Sequence, residues 1–438
     1  MTRDLEALYH QRHRRYTAAM RLGIPDAVPI RPFAAEFTAA HTGMTCQQVT
    51  HDYRHAFDAV IRCCHDYDWD AAVPNMVYVW TGLTHAAGLK YYAVPGLDIP
   101  ADVAFQYREP AEDNAWMRRE DYDEFIENPE AFLWNTWLPR VSRSFDNGSS
   151  SRALATSAWA MADYFTAFGP QIERMKRETA TVSAISGMLK APLDVLADKF
   201  RGYLGLAFDL KECPDKVMAA CRALEPYLAA VALGGLDPAR EIPIPIWMHR
   251  GCVPFISYKE FEEIYWATLK PTVETIIARG NQVLFYAEGK WDAHLEAFAQ
   301  LPKGGIVFHI DRTNPAKAQE ILGGHFALSG GVPNALLAFG SPSEVEAKCK
   351  ELIDLLGREG GYIMDASAIM QNDARPENVR VMTDFTRRYG VYRDTRESII
   401  ELPPAAVAAP PPEDPFQRIE AEMNGRASAY IWHLVLSF

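Results

Sequence analysis

The chain has 438 residues, of which 48% are hydrophobic and 23% are charged, and its formal net charge at pH 7 is −13. This balance is typical of a folded globular protein. It excludes a disordered chain, a collagen-like fibre and a strongly basic nucleic-acid binder. One barrel of alternating strands and helices can occupy a chain of this length.

The sequence predicts a cytoplasmic protein that does not span a membrane. No apolar run approaches the roughly 20 residues needed to cross a bilayer, and the amino terminus lacks the apolar core of a signal peptide. The seven cysteines include no pair separated by two residues, so we expect reduced and mostly buried thiols.

Residues 1–25 predict a helical extension, because Leu5, Leu8 and Tyr9 form one apolar patch among arginines. From residue 26 to residue 400, short apolar runs alternate with helical patterns. Eight runs predict strands, at residues 28–33, 73–79, 187–191, 242–249, 282–287, 305–310, 326–332 and 361–365. Helices are predicted at 258–279, 315–322, 343–356 and 376–389. Eight strands alternating with helices predict an α/β fold, a TIM (β/α)8 barrel.

Two segments interrupt this alternation. Residues 81–140 contain several prolines, glycines and acidic residues, and we interpret them as a lid-like insertion over the barrel mouth. Residues 401–415 are rich in proline and alanine, which predicts an extended linker. Residues 416–438 predict a helical tail, which docks either on its own barrel or on a second copy of the chain in a homodimer.

Polar residues that follow a barrel strand line the ligand site, because the carboxyl ends of parallel strands share one rim. Three consecutive predicted strands end in His249, in Glu288, and in His309 with Asp311. Adjacent strands lie ~4.8 Å apart, so these side chains are expected to converge on one ion or one proton-transfer site. They are the candidate catalytic residues and also the candidate ligands of zinc or a harder divalent metal.

Two other interpretations of this cluster stay open. Without a metal, the same groups serve as general acid and base. In a purely structural arrangement, each group forms an ion pair with the neighbouring Arg250, Lys290 or Arg312.

A second set of residues is expected to bind the substrate. It combines basic residues beside the strand ends, an aspartate after a further apolar run, and aromatic residues that can line a pocket. The candidates are Arg250, Arg312, Asp209, Tyr286, Trp291 and Tyr78.

Several short motifs follow one another in a specific order along the chain. They include Asp123-Glu124-Phe125, Leu138-Pro139-Arg140, Phe255-Ile256-Ser257, Leu301-Pro302-Lys303-Gly304, Ser329-Gly330-Gly331-Val332-Pro333 and Gly360-Gly361-Tyr362-Ile363-Met364. In these motifs the chain resembles the uroporphyrinogen decarboxylase superfamily over about residues 25–395. Within it, the chain is most similar to the branch of cobalamin-linked methyltransferases. The resemblance implies a TIM barrel, in agreement with the eight predicted strands.

Two features of the superfamily are missing from this sequence. The tetrapyrrole decarboxylases carry an arginine-rich loop near the amino terminus, where this chain reads Ile30-Arg31-Pro32-Phe33-Ala34-Ala35-Glu36, so uroporphyrinogen decarboxylation is not expected. The methyltransferases bind zinc through His-x-Cys and a later Cys, positions that fall here on Tyr286-Ala287-Glu288 and near Ala368. Either the protein uses no metal, or a site is rebuilt from the four strand-end residues.

The resemblance implies a methyltransferase of the O-demethylase type. It would move a methyl group from a small methylated substrate, such as an aryl or alkyl methyl ether, to a corrinoid on a partner protein. Glu288, His309 and Asp311 would protonate the leaving oxygen or polarise it through a metal. The sequence lacks a corrinoid-binding Asp-x-His-x-x-Gly segment, so the corrinoid is expected on another chain.

Two alternatives from other classes remain. The first is a decarboxylase or carbon–carbon lyase, in which Arg250 or Arg312 holds a carboxylate and His309 donates the proton. The second is a non-catalytic binding subunit that has kept the barrel and lost the zinc site.

Overall fold

The computed structural model describes residues 4–74, 80–111, 114–145, 150–396 and 400–402, together with Trp432 and Val435. The α-helices in these residues are α1 (Leu5–Met20), α2 (Phe37–Thr42), α3 (Cys46–His51), α4 (Tyr53–Tyr67), α5 (Thr81–Ala86), α6 (Tyr122–Glu127), α7 (Pro129–Phe132), α8 (Leu138–Val141), α9 (Ser150–Thr179), α10 (Pro192–Val195), α11 (Tyr203–Glu212), α12 (Pro214–Gly234), α13 (Tyr258–Glu260), α14 (Ala267–Ala278), α15 (Leu295–Phe298), α16 (Pro315–Leu322), α17 (Asn334–Phe339), α18 (Pro342–Leu356) and α19 (Pro376–Tyr389). Wider π-type turns occupy Leu133–Trp137, Leu196–Arg201 and Phe261–Trp266, and a 3-10 turn occupies Arg119–Asp121.

The strands are all short. They are β1 (Ala71–Ala72), β2 (Tyr92–Ala93), β3 (Gln106–Tyr107), β4 (Val182–Ser183), β5 (Leu189–Lys190), β6 (Ile244–Met248), β7 (Val283–Ala287), β8 (Ile306–Ile310), β9 (Ala327–Gly330) and β10 (Tyr362–Ile363). Six of them form one parallel sheet in the order β10-β9-β8-β7-β6-β5. Every residue of β6, β7, β8 and β9 is buried, because the sheet is covered on both faces. The predicted α/β class with a parallel sheet is thus confirmed.

The remaining predicted strands are shorter than expected. A parallel two-stranded sheet pairs β1 with β4, and β1 lies just before the predicted run 73–79, of which residues 75–79 lie outside the described residues. In the run 28–33 only Ile30 forms a bridge, parallel to Met364 beyond β10. Hydrogen bonds from Asp70 and Ala71 to the Ile30 carbonyl join this segment to β1. A closed eight-stranded barrel stays a prediction from the sequence and the resemblance.

The predicted outer helices are confirmed in the carboxyl-terminal half. Helix α16 begins where Asn314 caps the amides of Ala316 and Lys317 and Pro315 takes the first helical position. Helix α18 begins with a capping box between Ser341 and Glu344. Local sequence therefore sets where these helices begin, and their buried faces pack them on the sheet.

Helix α12 is the one helix among the described residues that is long and apolar enough to cross a membrane, by length and composition alone. Its face formed by Val217, Cys221, Leu224 and Leu228 is buried, and it packs against α6, α10 and α14. A single such helix is weak evidence for a membrane span, because a core helix of a folded protein meets the same criterion.

The insertion and the tail are only partly described. In residues 81–140 the chain forms short helices and an antiparallel hairpin, in which β2 pairs with β3. The linker 401–415 and most of the tail lie outside the described residues. Trp432 of the tail is helical and buried, and its ring stacks on Tyr227 of α12 with centroids 4.9 Å apart. Among the described residues of the tail, Trp432 thus packs against α12, and the homodimer stays a prediction.

Candidate active site

Strand register places the candidate residues in two rows on one face of the sheet. Trp247, Tyr286, His309 and Ser329 are direct neighbours across β6, β7, β8 and β9. Side chains alternate along a strand, so residues two positions further on point the same way. His249, Glu288 and Asp311 therefore form the next row, at the carboxyl edge of the sheet. We call this the upper row, and the row that contains Tyr286 and His309 the lower row. The structure thus separates His309 from the other three candidates by one row.

His249 pairs with Asp198, a residue that sequence reasoning missed. Its Nε2 lies 2.7 Å from Asp198 Oδ2. Asp198 comes from the π-type turn Leu196–Arg201, which follows β5 and α10 and is wholly buried. The spacing of Asp194 and Asp198, one helical turn apart just after a predicted strand, was the available signal.

Cations surround the Asp198 carboxylate on several sides. Lys190 Nζ, at the end of β5, lies 2.5 Å from Oδ2, and Arg250 Nη2 lies 3.3 Å from Oδ1. Burial opposes ionisation of Asp198, but Lys190 and His249 outweigh it and hold its pKa well below the usual range. These cations therefore favour the ionised form of Asp198.

The His249 imidazole is poised to carry a proton. Burial by itself lowers the pKa of His249, but the Asp198 and Asp194 carboxylates outweigh it, so this pKa is raised. No described residue hydrogen-bonds to its other nitrogen, Nδ1, although Nδ1 is shielded from solvent. The imidazolium is thus anchored at Nε2 and has a proton on Nδ1 for a ligand.

Asp194 holds the turn that carries His249. It accepts hydrogen bonds from the amides of His249 and Arg250, at 3.4 and 2.6 Å, and from the Tyr265 hydroxyl at 2.8 Å. Asp194 is fully buried, and burial raises its pKa. These contacts orient the turn that carries His249 and Arg250.

Glu288 and Asp311 are the other two groups of the upper row. Burial raises the pKa of Glu288, against the opposing charge of His249. Burial also raises the pKa of Asp311, whose Oδ2 accepts a hydrogen bond of 2.7 Å from the Gly289 amide. Both carboxyls therefore hold a proton more readily than they would in water.

His309 lies in the lower row, one row below the carboxyl edge of the sheet, and hydrogen bonds hold its ring there. Its Nδ1 lies 3.0 Å from Ser329 Oγ and 3.2 Å from Arg31 Nη2, and its Nε2 lies 3.2 Å from the Ser367 carbonyl oxygen. The ring stacks on Tyr286 with centroids 4.2 Å apart. Burial and the Arg31 charge hold the pKa of His309 well below its usual range. His309 is thus held at both ring nitrogens, and its lowered pKa disfavours the protonated form that the expected proton donor needs.

Arg31 and Asp365 form a buried ion pair behind His309. Their Nη2 and Oδ2 atoms lie 3.2 Å apart and neither side chain is exposed. Burial raises the pKa of Asp365 to about 7, against the charge of Arg31. Arg31 thus links Asp365 to His309.

The predicted substrate-binding residues separate in the structure. Arg250 lies beside Asp198 at the carboxyl edge of the sheet. Arg312 is exposed. Tyr286 is fully buried in the lower row. Tyr78 lies outside the described residues.

Two of the predicted binding residues pack elsewhere. Asp209 is buried in a network with Arg201, Arg119 and Tyr122. Trp291 donates through Nε1 to the Glu288 carbonyl, and its ring packs among aromatic residues behind the sheet. In both residues the polar side-chain atoms are used by hydrogen bonds within the protein, which is a structural role.

The upper row does not fit a metal ion. Among the described residues, no three His, Cys, Asp or Glu side chains come together as ligands would. His249 Nε2 is used by Asp198, and the nearby Lys190 and Arg250 repel a cation. No step of the chemistry is therefore assigned to zinc.

Comparison with known proteins identifies related sequences and folds. The model of the uroporphyrinogen decarboxylase family matches residues 157–389, just over half of the chain. A methyltransferase from Methanosarcina mazei is a similar solved structure: it is 14% identical, the match covers 86% of this chain and 98% of that chain, and the TM-score is 0.57. At this identity the likeness shows a shared fold alone. No curated protein matches the chain.

Proposed function

The chain belongs to the uroporphyrinogen decarboxylase family, and from this we propose that it is a methyltransferase acting at the carboxyl edge of its sheet. The proposed donor is a small methyl ether, and the proposed acceptor is a corrinoid on a partner protein. The fold shared with a methyltransferase supports this choice within the family. The observation that carries it is the His249–Asp198 pair, because an ether oxygen leaves poorly unless it is protonated.

In this proposal His249 is the general acid. As the bond between the methyl carbon and the ether oxygen breaks, the oxygen keeps the electron pair and takes the proton from His249 Nδ1. A reduced corrinoid on the partner protein would supply the nucleophile for the methyl carbon. His249 is left neutral, Asp198 stays ionised, and the demethylated substrate leaves as an alcohol or phenol.

Glu288 and Asp311 have a supporting role at the same mouth. Their pKa values are raised, so each can hold a proton near the leaving oxygen and return one to His249 after the reaction. His309 is not assigned a proton transfer, because Arg31, Ser329 and Ser367 occupy its nitrogens. It instead helps to hold Tyr286 in the lower row.

No observation favours the two alternatives over this proposal. The lyase needs His309 as a proton donor, but its pKa is held well below the usual range. Of the two arginines that could hold its carboxylate, Arg250 already contacts Asp198. A non-catalytic subunit would have no need of an imidazole that is anchored at one nitrogen and unpartnered at the other.

The test is methyl transfer to an added, reduced corrinoid protein from a panel of aryl and alkyl methyl ethers. The absorption spectrum of the cobalt centre reports the transfer. We expect transfer by the natural chain and a rate lower by roughly 10²- to 10⁴-fold in His249→Gln. His10→Gln is the matched control, because His10 is exposed on α1. An unchanged spectrum with every donor would refute the proposal.

A further inference from the structure

A cleft of about 410 Å³ opens at the amino end of the parallel sheet. The turns that lead into β8, β9 and β10 form most of its wall, through Lys303, Gly323-Gly324 and Gly360-Gly361. Arg396 and Ile400, which follow α19, complete the wall. The upper row lies at the carboxyl end of the same strands, so this cleft is separate from the candidate active site.

Positive charge is concentrated around this cleft. Its lining includes the exposed side chains of Lys303, Arg358 and Arg396, which come from three separate segments of the chain. Glu359 is the one carboxylate among the described lining residues, so three positive charges face one negative charge. The protein as a whole carries a net charge of −13. A positive cleft on so acidic a chain favours an anionic ligand at this one place.

The charges of these cations are not neutralised within the described part of the chain. Arg396 contacts a backbone carbonyl, that of Leu22, at 3.5 Å. The Arg358 charge acts on Asp354, but the Asp354 carboxylate is bonded to Lys350, on the same helix. The three cations form no ion pair with a carboxylate of the described residues. Their donors are therefore available to a ligand.

The rest of the cleft is largely apolar. Phe326 and Leu356 are buried beneath it, and Leu22, Leu355 and Ile400 are half-buried in its wall. An apolar group placed against these side chains would be removed from water, which favours binding. The cleft thus combines a cationic rim with an apolar wall.

We propose that this cleft binds a phosphate monoester that carries an apolar ester group. Three cations against one carboxylate leave a net charge of +2, which matches the charge of roughly −1.5 to −2 on a phosphate monoester at pH 7. The guanidinium groups of Arg358 and Arg396 can each donate two hydrogen bonds to phosphate oxygens, and Lys303 adds a point charge. The apolar wall receives the ester group.

This inference goes beyond the proposed function. Catalysis in folds of this type takes place at the carboxyl ends of the strands, so a ligand at the amino end is bound and not transformed. The cleft is a second binding site, at the end of the sheet opposite to His249.

The experiment measures binding to the full chain by calorimetry at pH 7 and equal ionic strength. The probe is phenyl phosphate, which joins a phosphate to an apolar ring. Benzoate has the same ring and only one negative charge, and inorganic phosphate has no ring. We expect phenyl phosphate to bind more tightly than either by about fivefold or more, because each comparison molecule lacks one of the two interactions.

Three variants locate the binding. Arg358→Gln and Lys303→Gln are each expected to weaken phenyl phosphate binding by about fivefold or more. Both side chains are exposed, so the melting temperature should not change. Arg222→Gln is the matched control, because the exposed Arg222 lies on α12, which contacts β5 at the other edge of the sheet. Its affinity for phenyl phosphate is expected to equal that of the natural chain.

The inference is overturned if phenyl phosphate does not bind, or if benzoate or inorganic phosphate binds as tightly. It is also overturned if Arg358→Gln or Lys303→Gln keeps the natural affinity, or if Arg222→Gln weakens binding as much as they do. No arm of the experiment uses methyl transfer, so its result does not depend on the proposed function.

Discussion

His249 and Asp198 meet at 2.7 Å, although they lie on different elements and 51 positions apart in the chain. Strand β6 delivers the histidine, and the turn after α10 delivers the aspartate. Since the aspartate is also held by Lys190 and Arg250, it stays ionised and keeps the imidazole protonated and oriented. This pair decides the pH behaviour expected of the site.

Asp198→Asn removes the charge that raises the pKa of His249. A general acid acts only while it is protonated, so activity is present below the pKa of His249 and is lost as the pH rises through it. We expect the alkaline limb of the rate profile to move to lower pH by about one unit or more, and the maximal rate to fall. The measurement is the pH dependence of methyl transfer. Asp354→Asn, on the outer face of α18, is the control, and an unmoved limb would contradict the role of Asp198.

Arg31→Met is expected to destabilise the fold in a pH-dependent way. It leaves the buried Asp365 carboxyl without its cation, which costs roughly 3–5 kcal/mol when that carboxyl is charged. The pKa of Asp365 is about 7, so at pH 5 the group is neutral and the loss is smaller than at pH 8. Urea unfolding at both pH values measures this difference. Adding Asp365→Leu should recover part of the stability, and equal losses at both pH values would refute the explanation.

Glu36 offers a second stability test. Its carboxyl is fully buried, neither oxygen has a hydrogen-bond partner among the described residues, and burial raises its pKa to about 8. The unfolded chain loses this proton near its ordinary pKa, whereas the folded chain keeps it, so stability falls as the pH rises from about 4.5 to 8.

Glu36→Gln removes that titration and keeps the shape of the side chain. We expect its melting temperature, relative to the natural chain, to increase steadily between pH 5 and pH 8 and then to level off. Differential scanning calorimetry over this range is the measurement. A constant difference across the range would show that Glu36 is ionised in the folded protein.

Trp432→Ala tests the docking of the tail. Trp432 is 1% exposed and stacks on Tyr227, so its removal is expected to cost about 3–5 kcal/mol of local stability and to lower the melting temperature. Trp159→Ala is the matched control, since Trp159 on α9 is 79% exposed and should change little. Equal effects of the two substitutions would mean that the tail does not depend on this contact.

Local sequence patterns predicted the elements of the carboxyl-terminal half closely. Helices α16 and α19 occupy the predicted residues, because the proline at the start of each helix, joined in α16 by the Asn314 cap, acts within one turn of the chain. The runs that became β6, β7 and β8 were visible because a fully buried parallel strand reads as continuous apolar sequence. The family resemblance, drawn from the order of short motifs, is confirmed by the family match.

The sequence by itself determined the class of fold, the family and the edge of the sheet at which polar groups gather. Only the tertiary structure decided which of those groups pair. It brought His249 to Asp198 and placed His309 one row deeper, beside Arg31. It also placed Asp209 and Trp291 in hydrogen bonds with other parts of the protein. Periodicity and capping are short-range properties that a sequence displays directly. The pairing of charged side chains depends on burial and on contacts between distant segments, which exist only after the chain has folded.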